Sequence, residues 1–329
     1  AAMAQTDESD ATQSQPSKKE LKEQAREERI NEYLRKKEEK RVVREKELEQ
    51  LEEQKDLEME SQAAAAEPPP PPPAPAAQET ARIAHYPIRT QAEAEDDGYR
   101  ITGEKTFDLD GHVADRLIVA ARTSGESGDR DGITLFLVDP KADGVEITRT
   151  LMLDSRNAAR VRLSDVRVPA TAVIGAVGGG GDILDAVHER AAIGLSAEML
   201  GGIQESFDRT IEYLKTRKQF GVLIGSFQAL KHRAANWFCE VELTRSIVMD
   251  ALRAVDEGRD RTSQIANACK ARASDVFRHS GEEGVQMFGG IGMTDEEEIG
   301  FFLKRARVAE LTFGDAGYHR ERYSEIEGY

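Results

Sequence analysis

From Val187 onward an apolar residue recurs at every fourth position: Val187, Ala191, Leu195, Met199, Ile203, Phe207 and Ile211. That period belongs to one face of an α-helix, and the stripe is long enough for about eight turns. A helix of that length with one apolar face must bury it against other elements. Three further helical stretches follow, roughly Phe227 to Asp256, Ser263 to Phe288 and Glu296 to Tyr323. Four long helices with short connections predict an antiparallel bundle over 182–327.

Ahead of the stripe the pattern is of a different kind. Short alternating segments, Tyr99 to Thr102, Leu117 to Ala121, Ile133 to Val138, Val145 to Thr148 and Ala159 to Leu163, are separated by glycines, Asp139-Pro140 and the Ser124 to Gly132 stretch. Period-two alternation broken by turn residues predicts strands, spaced as in an antiparallel sandwich or open barrel. This β domain is expected over 96–177, and the run Gly175, Gly178, Gly181 marks its boundary with the bundle. The fold class is therefore α+β, a small antiparallel sandwich or barrel followed by a four-helix bundle.

The beginning of the chain is of a third kind. Residues 1–17 are polar and expected to be disordered, whereas 18–62 are dominated by Glu, Lys, Arg, Gln and Leu, with charge pairs at helical spacing such as Glu32 and Arg35. Its apolar residues hold no heptad through three successive repeats, so this stretch reads as a solvated charged helix in preference to a coiled coil. Residues 63–95 open with AAAAEPPPPPPAPAA and read as a stiff Pro/Ala-rich linker.

Bulk properties remove several functions. The formal net charge of −16 opposes attraction to nucleic-acid phosphates and to anionic membranes. No run of eighteen apolar residues occurs, so no membrane span is expected. Two cysteines, Cys239 and Cys269, are too few for a disulfide framework and fit a reducing compartment. The cytoplasm is the expected location, with the mitochondrial matrix as the alternative. The histidines and cysteines show no metal-ligand spacing, and neither a Walker loop nor a Gly-x-Gly-x-x-Gly turn is present.

Two clusters carry chemistry. Arg217-Lys218-Gln219-Phe220-Gly221 follows the first bundle helix and is succeeded at short range by Phe227-Gln228. A guanidinium, an amide and an aromatic ring at one turn suit a pyrophosphate and a flat ring system. The second cluster, Gln286-Met287-Phe288-Gly289-Gly290-Ile291-Gly292, ends the third helix with glycines that allow close approach of a ligand or of another backbone; read alone it is equally a helix cap and turn.

Taken together, Tyr213-x-x-x-Arg217-x-Gln219-Phe220-Gly221, Phe227-Gln228 and Gln286-x-Phe288-Gly289-Gly290-x-Gly292 resemble the signatures of the acyl-CoA dehydrogenases. The β domain agrees, through Gly98-Tyr99-Arg100-Ile101-Thr102-Gly103-Glu104-Lys105, Ala121-Arg122-Thr123, Leu135-Phe136-Leu137-Val138 and Val166-Arg167-Val168-Pro169. The likeness covers about Asp96 to Arg320. It implies a homo- or hetero-oligomer with FAD shared between subunits, Arg217, Gln219, Phe220 and Gly221 meeting the pyrophosphate of a neighbouring subunit with Gln228 nearby, and Gln286, Gly289 and Gly290 lining the adenosine end. It also implies an acyl-CoA substrate and an electron-accepting flavoprotein as partner. In the implied reaction a carboxylate removes the α proton while the β hydrogen leaves as hydride to the flavin.

The sequence departs from this pattern at telling places. Leu311-Thr312-Phe313-Gly314-Asp315 places Phe313 where most of the family carries a catalytic glutamate. A minority carries its base on the first bundle helix just before an arginine, and His188-Glu189-Arg190 has a glutamate there; the resemblance therefore assigns Glu189 as the base and Arg190 to the substrate, with Asp315 and His319 as alternatives. Leu109 replaces a threonine that often bonds the flavin, although Phe107 keeps an aromatic ring. The helical first domain of the family has no counterpart. Two functions remain open, an FAD-dependent acyl-CoA dehydrogenase subunit and a catalytically silent structural or assembly subunit derived from the same family.

Overall fold

A computed structural model of the chain describes residues 86–329. The expected disordered start, the charged helix and most of the Pro/Ala-rich linker lie outside the described residues.

The β domain is a seven-stranded sheet in the order β5-β6-β2-β1-β3-β4-β7. Its strands are β1 (Gln91–Glu95), β2 (Gly98–Leu109), β3 (Leu117–Arg122), β4 (Ile133–Val138), β5 (Val145–Leu151), β6 (Asn157–Pro169) and β7 (Val173–Ile174). β1 falls in the stretch read as linker: its Gln91-Ala92-Glu93-Ala94-Glu95 lacks large apolar residues, and only Ala92 is buried, so the strand owes its place to pairing with β2. Every pairing is antiparallel except a short parallel contact of β1 with β3. The long strands β2 and β6 pair along most of their length, with register shifts between Ile101 and Gly103 and between Lys105 and Asp108 that bend them. Ile101, Val119, Phe136, Val161 and Val166 from four strands consequently meet in one core, with Val145 and Val173 of the two edge strands packed against it. Because both edge strands reach that one core, the sheet curls over its own apolar face.

Arg122, at the end of β3, is buried and anchors the entry to this domain. Its guanidinium donates to the main-chain carbonyls of Tyr86, Ile88, Asp129 and Asp131.

α1 (Gly180–Thr216) begins against β4, where the Ile133 carbonyl lies 2.8 Å from the place a Cβ would occupy on Gly180. A glycine is required for that approach. α2 (Gln228–Glu257) and α3 (Thr262–Phe288) complete three sides of the bundle. The fourth side, expected as one helix from Glu296 to Tyr323, is two: α4 (Ile299–Leu311) and α5 (Ala316–Glu327). Phe313 and Gly314 have φ of 58° and 98°, which a right-handed helix cannot accommodate, and Asp315 starts the next helix by accepting from the Tyr318 amide at 2.8 Å.

The bundle core gathers Leu195, Met199, Ile203, Trp237, Val241 and Phe277. Trp237 is fully buried with its indole N–H on Ser280 Oγ at 2.8 Å and the Phe207 ring edge-on. The stripe that announced α1 is covered through its middle, whereas Val187, just after the Ile183 and Leu184 that pack beside β4, is exposed.

Candidate active site

Where the β domain meets the bundle there is a cavity of about 310 Å³. Ala191, Gly194, Leu195 and Glu198 of α1 form one wall; Leu109, Asp110, Arg156 and Asn157 of the β domain form another; Arg305, Thr312 and Phe313 close the end. The α1 residues fall at i, i+3, i+4 and i+7, which puts them on one helical face.

The polar part of the wall is an ion network. Arg305 meets Asp154 at 2.7 Å and Glu198 at 2.8 Å, and Glu198 also takes Arg156 at 3.1 Å. The Asp154 and Arg305 side chains are only 3% and 18% exposed, so their attraction is little screened, but removing them from water is costly and neither can be lost alone without leaving a buried charge. The network ties the turn between β5 and β6 to α1 and α4.

Backbone strain gathers at the same place. Of six non-glycine residues with positive φ among the described residues, Asp110 (55°) and Phe313 (58°) line the cavity, Ser155 (63°) sits between Asp154 and Arg156, and Phe107 (57°) lies two residues before Leu109. A left-handed conformation costs an L-residue about 1–2 kcal/mol, so such a group is held by its surroundings.

Phe313 is thus brought to the cavity, whereas Glu189 is not among its lining residues. At 100° per residue Glu189 lies about 200° around α1 from Ala191, on the face of Ile193 and Ala197 that packs on α2 and α3. It is half-buried there, and burial raises its carboxyl above the ordinary range against the opposing pull of Arg190 and of a hydrogen bond with Ser263. Arg190 is exposed and folds back to donate to the Ala186 carbonyl at 3.1 Å. Asp315 is occupied as the cap of α5, and His319 is buried behind the Phe313 turn. His188, on α1, places its ring 6.3 Å from that of Phe313, and burial lowers its pKa.

The other predicted residues occupy the far end of the bundle. β8 (Lys218–Gln219) and β9 (Val222–Leu223) form a hairpin whose two-residue turn is Phe220-Gly221, with φ of 53° and 80° as a type I′ turn requires. Phe220 is 91% exposed, with the Phe227 ring edge-on at 6.2 Å. Tyr213 stacks on Phe288 at 4.1 Å and reaches its carbonyl at 3.3 Å, which joins the end of α1 to the end of α3. Arg217, Gln219, Phe220, Gly221, Gln228, Gln286, Gly289 and Gly290 are all exposed at this end. A Cβ built on Gly221, Gly289 or Gly290 would meet nothing within 4 Å, so open space lies beside all three.

A curled sheet domain feeding a helical bundle, with a cavity at their junction and glycine-edged, arginine-bearing loops at the far end, defines a two-domain architecture. Known proteins share it. The acyl-CoA dehydrogenase middle-domain model matches residues 79–166, and the acyl-CoA dehydrogenase C-terminal-domain model matches residues 182–326. The short/branched chain specific acyl-CoA dehydrogenase, mitochondrial, of Rattus norvegicus is 31% identical over 232 residues, covering 70% of this chain and 53% of that protein. Among solved structures, butyryl-CoA dehydrogenase from Megasphaera elsdenii is similar with a TM-score of 0.69 and 28% identity, over 73% of this chain and 63% of its own. The ChsE4-ChsE5 complex from Mycobacterium tuberculosis is similar with a TM-score of 0.66 and 26% identity, over 73% of this chain and 63% of its own. The chain belongs to the acyl-CoA dehydrogenase family, whose members are FAD-dependent oxidoreductases acting on CH–CH bonds. It spans about half the length of the curated rat relative, 53%. Among the described residues no helix is long and apolar enough to cross a membrane.

Sequence reasoning passed over Asp154, Arg156, Glu198 and Arg305, which are scattered along the chain and meet only in the fold. It also passed over Lys270, which does carry a signal: it stands on the same helical face as Ala266, Ala273 and Phe277, the one cation in an apolar stripe.

Proposed function

We propose that this chain is an FAD-binding acyl-CoA dehydrogenase subunit, acting in α,β-dehydrogenation of an acyl-CoA thioester together with further copies or with a partner subunit. The observation that carries the reading is the exposed Arg217–Gly221 hairpin, which presents Phe220 to open space with glycines at Gly289 and Gly290 on the same end of the bundle. These residues fit a flavin nucleotide: Arg217 and Gln219 would hold the pyrophosphate, with Phe220, Gly221 and Gln228 beside it, and Gln286, Gly289 and Gly290 would border the adenosine. When bound, the flavin supplies the hydride acceptor. Glu189 would take the α proton on a carboxylate oxygen; its burial favours the neutral form, which makes the carboxylate a stronger base, and Arg190 would bind the acyl-CoA. An electron-accepting flavoprotein would reoxidise the cofactor.

A second reading, a catalytically silent assembly subunit, is favoured by one observation. Phe313 stands in the cavity wall, and the carboxylates lining that wall are Asp110, which is exposed, and Glu198, which is held by two arginines. The two readings separate on the visible spectrum of purified protein, recorded before and after anaerobic addition of a panel of acyl-CoA thioesters. A yellow protein that bleaches supports the enzyme, and Glu189→Gln should then keep the yellow colour and stop the bleaching; a protein that stays colourless after reconstitution with FAD supports the silent subunit.

A further inference from the structure

Lys270 is fully buried in α3 with no carboxylate in direct contact. Its Nζ donates to Ser274 Oγ at 3.0 Å and to the carbonyls of Ala309 and Glu310 at 3.1 Å and Gly314 at 2.8 Å. Ala309 and Glu310 belong to the last turn of α4, whose carbonyls have no helical partner, and Gly314 lies beyond the break. One ammonium therefore bridges the end of α4 to the approach of α5. Burial lowers its pKa to about 8, against the opposing pull of Glu310 and Asp315.

His319 holds the same turn from the other side. Its Nε2 is 2.8 Å from the Phe313 carbonyl and its Nδ1 is 2.8 Å from Asn267 Oδ1, while Asn267 is fixed by donating to the Ser263 carbonyl at 2.8 Å. The carbonyls of Phe313 and Gly314, the two residues with positive φ, are therefore gripped by side chains from α5 and α3 respectively. A Cβ on Gly314 would lie 2.4 Å from the Tyr318 ring, so the turn has no room to shift towards α5.

We propose that Lys270 and His319 are positioning residues that clamp the Leu311–Asp315 turn in its left-handed conformation and so keep the Phe313 ring in the wall of the junction cavity, whose shape it sets. The clamp itself can be tested without substrate or flavin.

The experiment is hydrogen–deuterium exchange, read by mass spectrometry on the full chain, of Lys270→Met, His319→Leu and His319→Gln beside the parent. Lys270→Met is expected to raise exchange of the 309–316 segment at least tenfold with α1, α2 and the sheet unchanged, and His319→Leu to do the same to a smaller extent. His319→Gln, whose amide can still donate to the Phe313 carbonyl, should return exchange to within about twofold of the parent. Unchanged exchange at 309–316 in the His319→Leu protein, or a rise spread evenly over the bundle, overturns the clamp; if Lys270→Met does not fold, the His319 pair decides alone. A protein that never binds FAD would overturn the flavin reading and leave this result standing.

Discussion

The Asp154–Arg305 pair allows a quantitative forecast. In Arg305→Met the methionine fills most of the arginine's volume, so the loss is electrostatic. Asp154 keeps only the Arg156 amide, at 3.2 Å, as a partner for a carboxylate that is 3% exposed. Removing one member of a buried pair costs about 3–5 kcal/mol. Glu198 is 42% exposed and keeps Arg156, so its share is about 1 kcal/mol or less. At roughly 2–4 °C of Tm per kcal/mol for a domain of this size, Arg305→Met should melt about 6–20 °C below the parent. The assay is urea and thermal unfolding followed by circular dichroism. Adding Asp154→Asn removes the stranded charge, so the double variant should recover more than half of the loss, a non-additivity expected of residues in contact. A single-variant cost under about 1 kcal/mol, or costs that simply add, would refute the view that the junction is held by a poorly screened ion pair.

Further outcomes follow from individual residues. Phe220→Ala, at a side chain 91% exposed, should leave Tm unchanged within 1–2 °C while lowering FAD retention on gel filtration; equal retention would remove Phe220 from the cofactor site. Burial, aided by the Lys270 ammonium, pushes His319 from its ordinary 6.5 down to about 4, so the folded state refuses a proton that the unfolded chain accepts. The stability this contributes is fully present above about pH 6.5 and is lost as pH falls towards 4, by up to about 3 kcal/mol; urea titrations from pH 4 to 7 should show that slope in the parent and a flatter one in His319→Gln. Gly202→Ala would set a methyl 2.5 Å from the Phe277 ring and should cost about 1–3 kcal/mol by overpacking, read from the shift in urea midpoint.

The helices and strands with strong periodicity were legible because burial selects their residues one by one. Phe136, Val161, Met199 and Ile203 each lie in the cores that the pattern assigns them to. β1 was not legible, since an Ala/Glu alternation carries no apolar signal and its strand is made by a neighbour's hydrogen bonds. The break in the fourth helix was hidden for the opposite reason: Leu311-Thr312-Phe313-Gly314 contains one glycine, and its carbonyls are held by Lys270, 44 residues before Gly314, and by His319, six residues after Phe313. In the site, Phe313 was legible as a departure because it precedes Gly314, where the resemblance sets a glutamate before a glycine. Glu189 was assigned by the resemblance, from its place before an arginine on the first bundle helix; position in sequence does not specify which side of a helix a residue faces, and α1 presents Ala191 and Glu198 to the cavity while Glu189 lies on the face of Ile193 and Ala197.

Arg122 binds the segment that enters the β domain through the Tyr86 and Ile88 carbonyls, and the β3–β4 loop through those of Asp129 and Asp131. A guanidinium bound in this way reads the path of a backbone and is indifferent to its lettering. Substitutions at Ile88, Asp129 or Asp131 that keep that path leave every one of those bonds in place, whereas a single change at Arg122 forfeits them together. One residue outside the joint therefore ties the entering segment to the β3–β4 loop, so that neither path can shift without the other.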